Sequence, residues 1–505
     1  KLISKREALV NVHFPQSETL LAQAHRRLKF EEFFFMQLAM IKLKQHKKET
    51  YLSYPFSKVG THFNTFYKEQ LPFELTGAQK RVLKEIRLDV ATGKQMNRLV
   101  QGDVGSGKTI VALMAMLIAK DNGFQACLMA PTEILASQHF QGLKDMVEAV
   151  GMKMALLTGS TKVARRREIH AALESGELDI LVGTHALLED KVQYKNLGLA
   201  VIDEQHRFGV SQRSKMWKKN SKPPHVLVMT ATPIPRTLAM AVYGDLDISL
   251  IDELPPGRKP ITTFHKTDKH RLSMFHFLKQ EIEKGRQIYI VYPLIEDSKT
   301  LDYKDLMDGY DSISRHFPKP QFQVSVVHGR MKAEDKEAEM ARFVKGETHI
   351  MVATTVIEVG VNVPNASVMV IESAERFGLS QLHQLRGRVG RGSEQSFCVL
   401  MSGHKLSADA KTRLKTMVQT QNGFEIADVD LKLRGPGDIM GTRQSGLVNL
   451  KLADLTKDSK ILQYARQIAS ELLDKDPEIV CVENRPILKE YMRAHHIKMQ
   501  WSTIS

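Results

Sequence analysis

A chain of 505 residues is too long for one hydrophobic core and calls for three or four domains. Hydrophobic residues at 42% and charged residues at 26% exclude a disordered or collagen-like polymer. No apolar run approaches the ~18 residues of a membrane span. The net charge of +15 calls for a polyanionic partner, nucleic acid ahead of an anionic membrane surface. Cys127, Cys398 and Cys481 lie far apart and none sits in a C-x-x-C pair. A zinc site or disulfide framework is therefore not expected, and the three read as buried thiols in a reducing compartment.

Residues 17–50 carry apolar side chains at helical spacing after Pro15, with Ser17 as a cap. Leu20, Leu21, Ala24, Leu28, Phe33, Phe34, Leu38 and Ile41 form one stripe, which predicts a long helix joining domains. Its lysine-rich tail, Lys42 to Lys48, reads as a solvated face. From Leu75 to about Asp252, strand-like runs alternate with helical patterns: 98–100, 126–129, 179–182, 200–202 and 226–229. Such alternation predicts an α/β domain around a mostly parallel sheet. The Pro- and Gly-rich stretch 254–260 reads as a linker. A second α/β stretch follows, with runs at 287–291, 323–327, 349–352, 367–371 and 396–400. Beyond about residue 404 the pattern is mostly helical, broken by a Gly-rich segment at 434–446.

The most specific motif is Gln101-Gly-Asp-Val-Gly-Ser-Gly-Lys-Thr109, which fits G-x-x-x-x-G-K-[ST]. It follows a strand-like run and precedes an unbroken apolar helix pattern, the context a phosphate-binding loop requires. Gly102, Asp103, Val104, Gly105, Ser106 and Gly107 would wrap a triphosphate with backbone N–H groups. Lys108 would reach the outer phosphates, and Thr109 would hold Mg²⁺. Val201-Ile-Asp-Glu204 ends a strand with two carboxylates, Asp203 suited to the metal and Glu204 to the attacking water. Arg388 and Arg391 stand in the second α/β stretch. Guanidinium groups there suit transition-state charge on a transferring phosphoryl group, and they can reach ATP only when the two domains close.

These segments, in their order, resemble the superfamily 2 helicases and translocases. Gln79 in Leu75-Thr-Gly-Ala-Gln79 resembles the glutamine that reads adenine. Ala130-Pro-Thr-Glu-Ile-Leu-Ala136 and Gly183-Thr-His-Ala-Leu187 resemble nucleic-acid motifs, which implies contacts from Thr132 and Thr184. Asp203-Glu-Gln-His206 resembles the metal and water motif, and Thr230-Ala-Thr232 the motif that links hydrolysis to movement. Val327-His-Gly-Arg330 and Ala353-Thr-Thr-Val-Ile-Glu-Val-Gly360 resemble motifs of the second domain, the latter implying a nucleotide contact at Gly360. Gln384-Leu-Arg-Gly-Arg-Val-Gly-Arg391 fits Q-x-x-G-R-x-G-R.

Within that superfamily, 203–210, 229–237 and 375–381 resemble the RecG family of branch-migration translocases, whose motor the transcription-repair coupling factors closely share. The segments 427–438 and 441–446 resemble the hairpin and loop that couple ATP state to duplex movement there, which implies roles for Arg434, Arg443 and Gln444. Phe30-Glu-Glu32 and its leucine-rich surroundings are also similar to RecG.

The resemblance implies a helical linker (1–65), a first RecA-like domain (66–255), a second RecA-like domain (256–405) and a C-terminal helical coupling region (406–505). It implies ATP and Mg²⁺ as cofactors. The implied activity is translocation on double-stranded DNA, remodelling stalled forks and migrating Holliday junctions. The implied setting is the bacterial cytoplasm and nucleoid, with a monomer acting on branched DNA beside single-stranded DNA-binding protein and without membrane attachment. The coupling-factor motor remains an alternative, which Gln205 and the linker helix argue against. An RNA helicase and a non-catalytic nucleic-acid scaffold are further alternatives. The basic run Lys162, Arg165, Arg166 and Arg167 follows Thr158-Gly-Ser160, where the superfamily contacts nucleic acid. Members of the RecG family carry a wedge domain, an OB-type barrel, ahead of the linker helix. The present sequence starts at Lys1, without Met and in mid-pattern, which suits a fragment of a longer protein; two alternatives stand, that the wedge has been lost from this chain or that the protein never had one.

Overall fold

The structure, a computed structural model, describes residues 2–204, 219–232, 235, 246–255, 257, 259–293, 299–354, 363–390, 392, 394–434 and 450–502. Two compact units divide the chain. One comprises 1–51, 234–248 and 431–505, the other 52–233 and 249–430.

The chain opens with α1 (Lys5–His13) and α2 (Glu18–Thr50). Then come α3 (Thr61–Thr65), α4 (Gly77–Val90) and β1 (Asn97–Gly102). These lead to α5 (Lys108–Asp121), β2 (Gln125–Met129), α6 (Glu133–Glu148), β3 (Met154–Leu157), α7 (Val163–Ser175) and β4 (Ile180–Gly183). Strands β5 (Leu197–Asp203), β6 (His225–Thr230) and β7 (Asp247–Ile251) complete a seven-stranded sheet of order β3-β4-β2-β5-β6-β1-β7. Its core pairs are parallel, with β1 between β6 and β7. Every residue of α5 from Ile110 to Ala119 is buried. A helix apolar all round must be covered on all sides, and α5 shares its core with α4 and the strands beside it.

The second sheet holds β8 (Thr262–Thr267), β9 (Gln287–Tyr292), β10 (Val324–Val327), β11 (Ile350–Thr354), β12 (Ala366–Ile371) and β13 (Phe397–Ser402). Its order is β10-β11-β9-β12-β13-β8, parallel throughout. Helices α8 (Arg271–Glu283), α9 (Lys299–His316), α10 (Ala333–Val344) and α11 (Leu379–Arg386) accompany it. Two more follow, α12 (Ala408–Gln419) and α13 (Gly423–Arg434). Parallel strands buried on both faces read as continuous apolar runs, which is why ten of them were legible as runs. Three strands have no such signature. β3 is four residues long, β7 is an edge strand with only two of five residues buried, and β8 is an edge strand with four of six residues exposed.

The chain closes with α14 (Ser459–Lys475) and α15 (Arg485–Ser502). In this first unit, Phe33, Phe34 and Leu38 of α2 share a core with Leu462, Ala465, Ala469 and Leu473 of α14. Ala24 is buried as expected, and Gln37 is buried too, because its Oε1 accepts a bond from Arg466 Nη1 at 3.0 Å. The lysine tail of α2 departs from a plain solvated face. Lys42 pairs with Glu478 at 3.2 Å and Lys44 pairs with Asp247, so long aliphatic stems place these ammonium groups on carboxylates of the same unit. The expectation of three buried thiols is also corrected. Cys127 and Cys398 are buried, but Cys481 is exposed in a turn whose N–H groups at 480 and 481 donate to Asp476.

Candidate nucleotide site

The phosphate loop runs from the end of β1 into α5. Gly105 (φ 78°) and Gly107 (φ 86°) take left-handed conformations that L side chains disfavour. A Cβ at Gly107 would also lie 2.2 Å from Gln79 Nε2 and would displace that amide. Lys108 Nζ donates to the carbonyls of Gly102 (2.7 Å) and Asp103 (2.8 Å), which holds the ammonium over the loop. Thr76 and Gln79 form a reciprocal cap at the start of α4. Gln79 Oε1 accepts from Thr76 N–H, and Gln79 Nε2 donates to Ser106 O at 2.9 Å. The amide expected on adenine is thus bonded here to the loop backbone.

Asp203 ends β5 and Glu204 turns the chain out of the sheet. Glu204 has φ 53°, a left-handed conformation unusual for a non-glycine residue and frequent at strained functional positions. Its carboxylate is held by Ala231 N–H (3.1 Å to Oε1) and Thr230 Oγ1 (3.3 Å to Oε2). Thr230 and Thr232 hydroxyls lie 3.1 Å apart, so the 230–232 segment is tied directly to the Glu204 carboxylate. Burial, and next the charge of Asp203, raise the Glu204 pKa, against the opposing pull of Lys108, Ala231 N–H and Arg388. Asp203 is held at both oxygens. Oδ1 accepts Glu204 N–H at 3.1 Å and Oδ2 lies 2.8 Å from His139 Nε2 on α6.

Residues of the second sheet's domain complete the site. A cavity of about 1060 Å³ is lined by Lys108, Thr109, Asp203, Glu204, Gln384 and Arg388 together. Gln384 Nε2 reaches Thr232 Oγ1 at 3.5 Å, and His383 Nε2 lies 3.0 Å from Asp103 Oδ1. A Cβ on Gly387 would sit 2.8 Å from Val104 Cβ, so the Arg388 segment packs directly on the phosphate loop. Burial alone would raise the Asp103 pKa, but the bond and charge of His383, the Gly423 N–H and Lys108 together carry it below the ordinary carboxylate value.

This cradle fits a nucleotide phosphate with Mg²⁺. The buried Ser106 Oγ has no hydrogen-bond partner among the described residues, glycines line the loop, and a lysine ammonium stands over it. Thr109 hydroxyl and Asp203 carboxylate are hard oxygen donors, and Mg²⁺ is usually held by one or two carboxylates plus substrate phosphates. Bound there, Mg²⁺ would neutralise charge on the outer phosphates.

Other expected positions fall out differently. Arg391, Gly360, Arg443 and Gln444, with His206, lie outside the described residues, as does the side chain of Arg434. Thr132 caps α6 by accepting from Leu135 N–H at 3.3 Å and is half-buried. Thr184 is 2% exposed with its hydroxyl buried, so the expected nucleic-acid contact is not available to this side chain as it stands. Lys162, Arg165 and Arg167 are exposed, whereas Arg166 bonds Thr158 O (2.9 Å) and pairs with Glu189. Phe73 is 38% exposed and lines the same cavity. His185 is exposed. Sequence reasoning missed His139 and His383. Each is a single histidine on a helix, and nothing in its neighbourhood marks its partner.

The chain matches three family models. DEAD/DEAH box helicase matches residues 76–241, the helicase conserved C-terminal domain matches 273–393, and "ATP-dependent DNA helicase RecG, domain 3, C-terminal" matches 420–505. It is 51% identical over 489 residues to the ATP-dependent DNA helicase RecG of Synechocystis sp., covering 97% of this chain and 58% of that protein. It is 49% identical to RecG of Streptococcus pneumoniae, covering 95% of this chain and 71% of that protein. The chain thus spans little more than half the length of the Synechocystis relative. A solved structure of RecG bound to a three-way DNA junction superposes with a TM-score of 0.72 at 43% identity, over 92% of this chain and 60% of that one. A structure of Mss116p bound to single-stranded RNA and AMP-PNP, at 18% identity and a TM-score of 0.53, shares the fold alone.

Proposed function

The chain belongs to the RecG family of ATP-dependent DNA helicases, and from that premise we propose that it is the motor of a translocase. ATP hydrolysis would drive movement on duplex DNA, remodelling stalled forks and migrating Holliday junctions. One observation carries this reading. Lys108, Glu204 and Arg388 line the same cavity although the first two belong to one sheet's domain and the third to the other's. Hydrolysis in such a cavity depends on how the two domains stand, which is what a motor requires.

The roles follow from the atoms. Lys108 and the loop N–H groups bind phosphate, and Thr109 and Asp203 would hold Mg²⁺. Glu204 orients and deprotonates the attacking water. Arg388, with Arg391, stabilises charge in the transition state. Asp103 and Gln79 shape the loop, and Gly360 contributes to the nucleotide. Thr132, Arg434, Arg443 and Gln444 contact DNA or couple it to the motor. Branched duplex DNA is the proposed substrate of a monomer in the bacterial cytoplasm and nucleoid, with single-stranded DNA-binding protein as partner. Among the described residues no helix is long and apolar enough to cross a membrane.

The test is ATPase activity with and without duplex DNA, beside fork unwinding by the full-length protein. Wild type is expected to be DNA-stimulated. Lys108→Ala should lose nucleotide binding and turnover together, and Glu204→Gln should retain binding with turnover lowered at least a hundredfold. A Glu204→Gln enzyme as fast as wild type would sink the assignment. Arg443→Ala is expected to keep DNA-stimulated ATPase and lose unwinding.

A further inference from the structure

His139 is a half-buried histidine with a defined partner that no step above uses. Its side chain is 10% exposed, and Nε2 donates to Asp203 Oδ2 at 2.8 Å. The N-terminal turn of the same helix is tied to the turn that precedes the basic run. Glu133, in the first turn of α6, accepts from Ser160 N–H (3.2 Å) and from Ser160 Oγ (2.5 Å). The Thr158–Thr161 turn is closed by Thr158 N–H donating to Thr161 Oγ1 at 2.9 Å, and exposed Lys162, Arg165 and Arg167 follow it. From the cap at Thr132 to His139 is seven residues, two turns or about 10 Å of rigid helix. The helix therefore joins a surface fit for a polyanion to the carboxylate assigned to the metal.

We propose that His139 is a positioning residue. It carries occupancy of the Thr158–Lys162 surface by a polyanion along α6 to Asp203, and so sets the site's affinity for Mg²⁺ with nucleotide. The polyanion is duplex DNA, and in that respect the inference rests on the function proposed above. A carboxylate held at one oxygen by a backbone N–H and at the other by an imidazole has one orientation. Displacing the helix turns that carboxylate. Outer partners of metal ligands commonly change metal affinity ten- to a hundredfold when removed. Because coupling between two ligands is reciprocal, Mg²⁺ with nucleotide must alter DNA affinity by the same factor that DNA alters theirs.

The experiment is a binding titration that needs no turnover. A fluorescent non-hydrolysable ATP analogue is bound to wild type, His139→Ala, His139→Gln and Glu133→Ala while Mg²⁺ is varied, with and without a duplex oligonucleotide, and each melting temperature is recorded. In wild type, duplex should lower the Mg²⁺ midpoint several-fold. His139→Ala should raise the DNA-free midpoint roughly tenfold or more and abolish the DNA shift. His139→Gln keeps an N–H donor and should restore most of both. Glu133→Ala should keep the DNA-free midpoint within about twofold and lose the shift, which tests the relay even if His139→Ala does not fold. Wild-type midpoints in His139→Ala, with and without DNA, overturn the proposal. A wild type that binds duplex without any shift overturns the relay. A wild type that binds no duplex overturns the translocase reading instead, and the DNA-free midpoints then decide the positioning role alone.

Discussion

His383 of α11 lies 3.0 Å from Asp103 of the phosphate loop, across a sequence separation of 280 residues. The second oxygen of Asp103 accepts Gly423 N–H at 3.3 Å, at the start of α13. Behind His383, Arg386 Nη2 lies 3.1 Å from its Nδ1, and Arg386 Nη1 donates to the carbonyls of Met417 and Thr420 at the end of α12. One loop aspartate thus joins the nucleotide site to α11 and α13 directly, and to the end of α12 through Arg386.

Breaking that link should therefore cost catalysis more than folding. His383→Ala is expected to lower kcat/KM for ATP by roughly tenfold, the scale of one charge-assisted hydrogen bond. Asp103→Asn with His383→Ala should be clearly non-additive. Steady-state ATPase of the two single variants and the double gives the coupling energy, and strict additivity would show that the pair does not act as a unit.

The Glu204 pKa is raised by burial and by the charge of Asp203. A base whose pKa is raised is protonated over a wider range, so its active form is lost as pH falls through a value above the ordinary 4.5 of a glutamate. The acid limb of kcat is expected above that value in wild type and absent from the residual rate of Glu204→Gln. A pH–rate profile at saturating ATP checks this.

His225 is fully buried. Its Nδ1 accepts Met96 N–H at 3.0 Å and its Nε2–H donates to Tyr54 O at 2.8 Å. Burial pushes its pKa down to about 4 from 6.5, with the Tyr54 carbonyl opposing. Because the folded value is depressed, the unfolded chain binds the extra proton. The contribution is complete above pH 6.5 and is lost as pH falls from there toward about 4. Its size is about 3 kcal/mol. Urea unfolding between pH 7 and 4.5 should show this loss in wild type and a smaller one in His225→Gln.

Phe33 is wholly buried in the core that α2 shares with α14. Phe33→Ala should destabilise the unit formed by 1–51, 234–248 and 431–505 by about 3–5 kcal/mol through lost burial and a residual cavity. Hydrogen exchange should show it as lost protection in α14, with the amides of β1 and β5 unchanged. Equal loss in β1 would mean that the two units unfold together.

Particular elements show how far sequence reading reaches. β2 and β9 read as strands because a sheet buried on both faces needs an uninterrupted apolar run. β8, Thr262–Thr267, shows no such run, since an edge strand half in water has no reason to be apolar. The phosphate loop was legible because its left-handed positions need glycine and phosphate needs a cation. Gln79 was legible as important, but the bonds its amide makes were not.

What the sequence by itself determined is the local chemistry: strand, loop and helix around Lys108, and two carboxylates ending a strand at Asp203 and Glu204. These are set within a few residues by backbone conformation and side-chain type, so short spacings carry them. Only the tertiary structure decided that His139 holds Asp203, that His383 holds Asp103, and that Arg388 shares a cavity with Lys108. Those pairs are separated by 64 residues or more. Periodicity says which face of an element is buried, but which buried or half-buried polar groups meet depends on how the helices and sheets pack, and no local spacing records that.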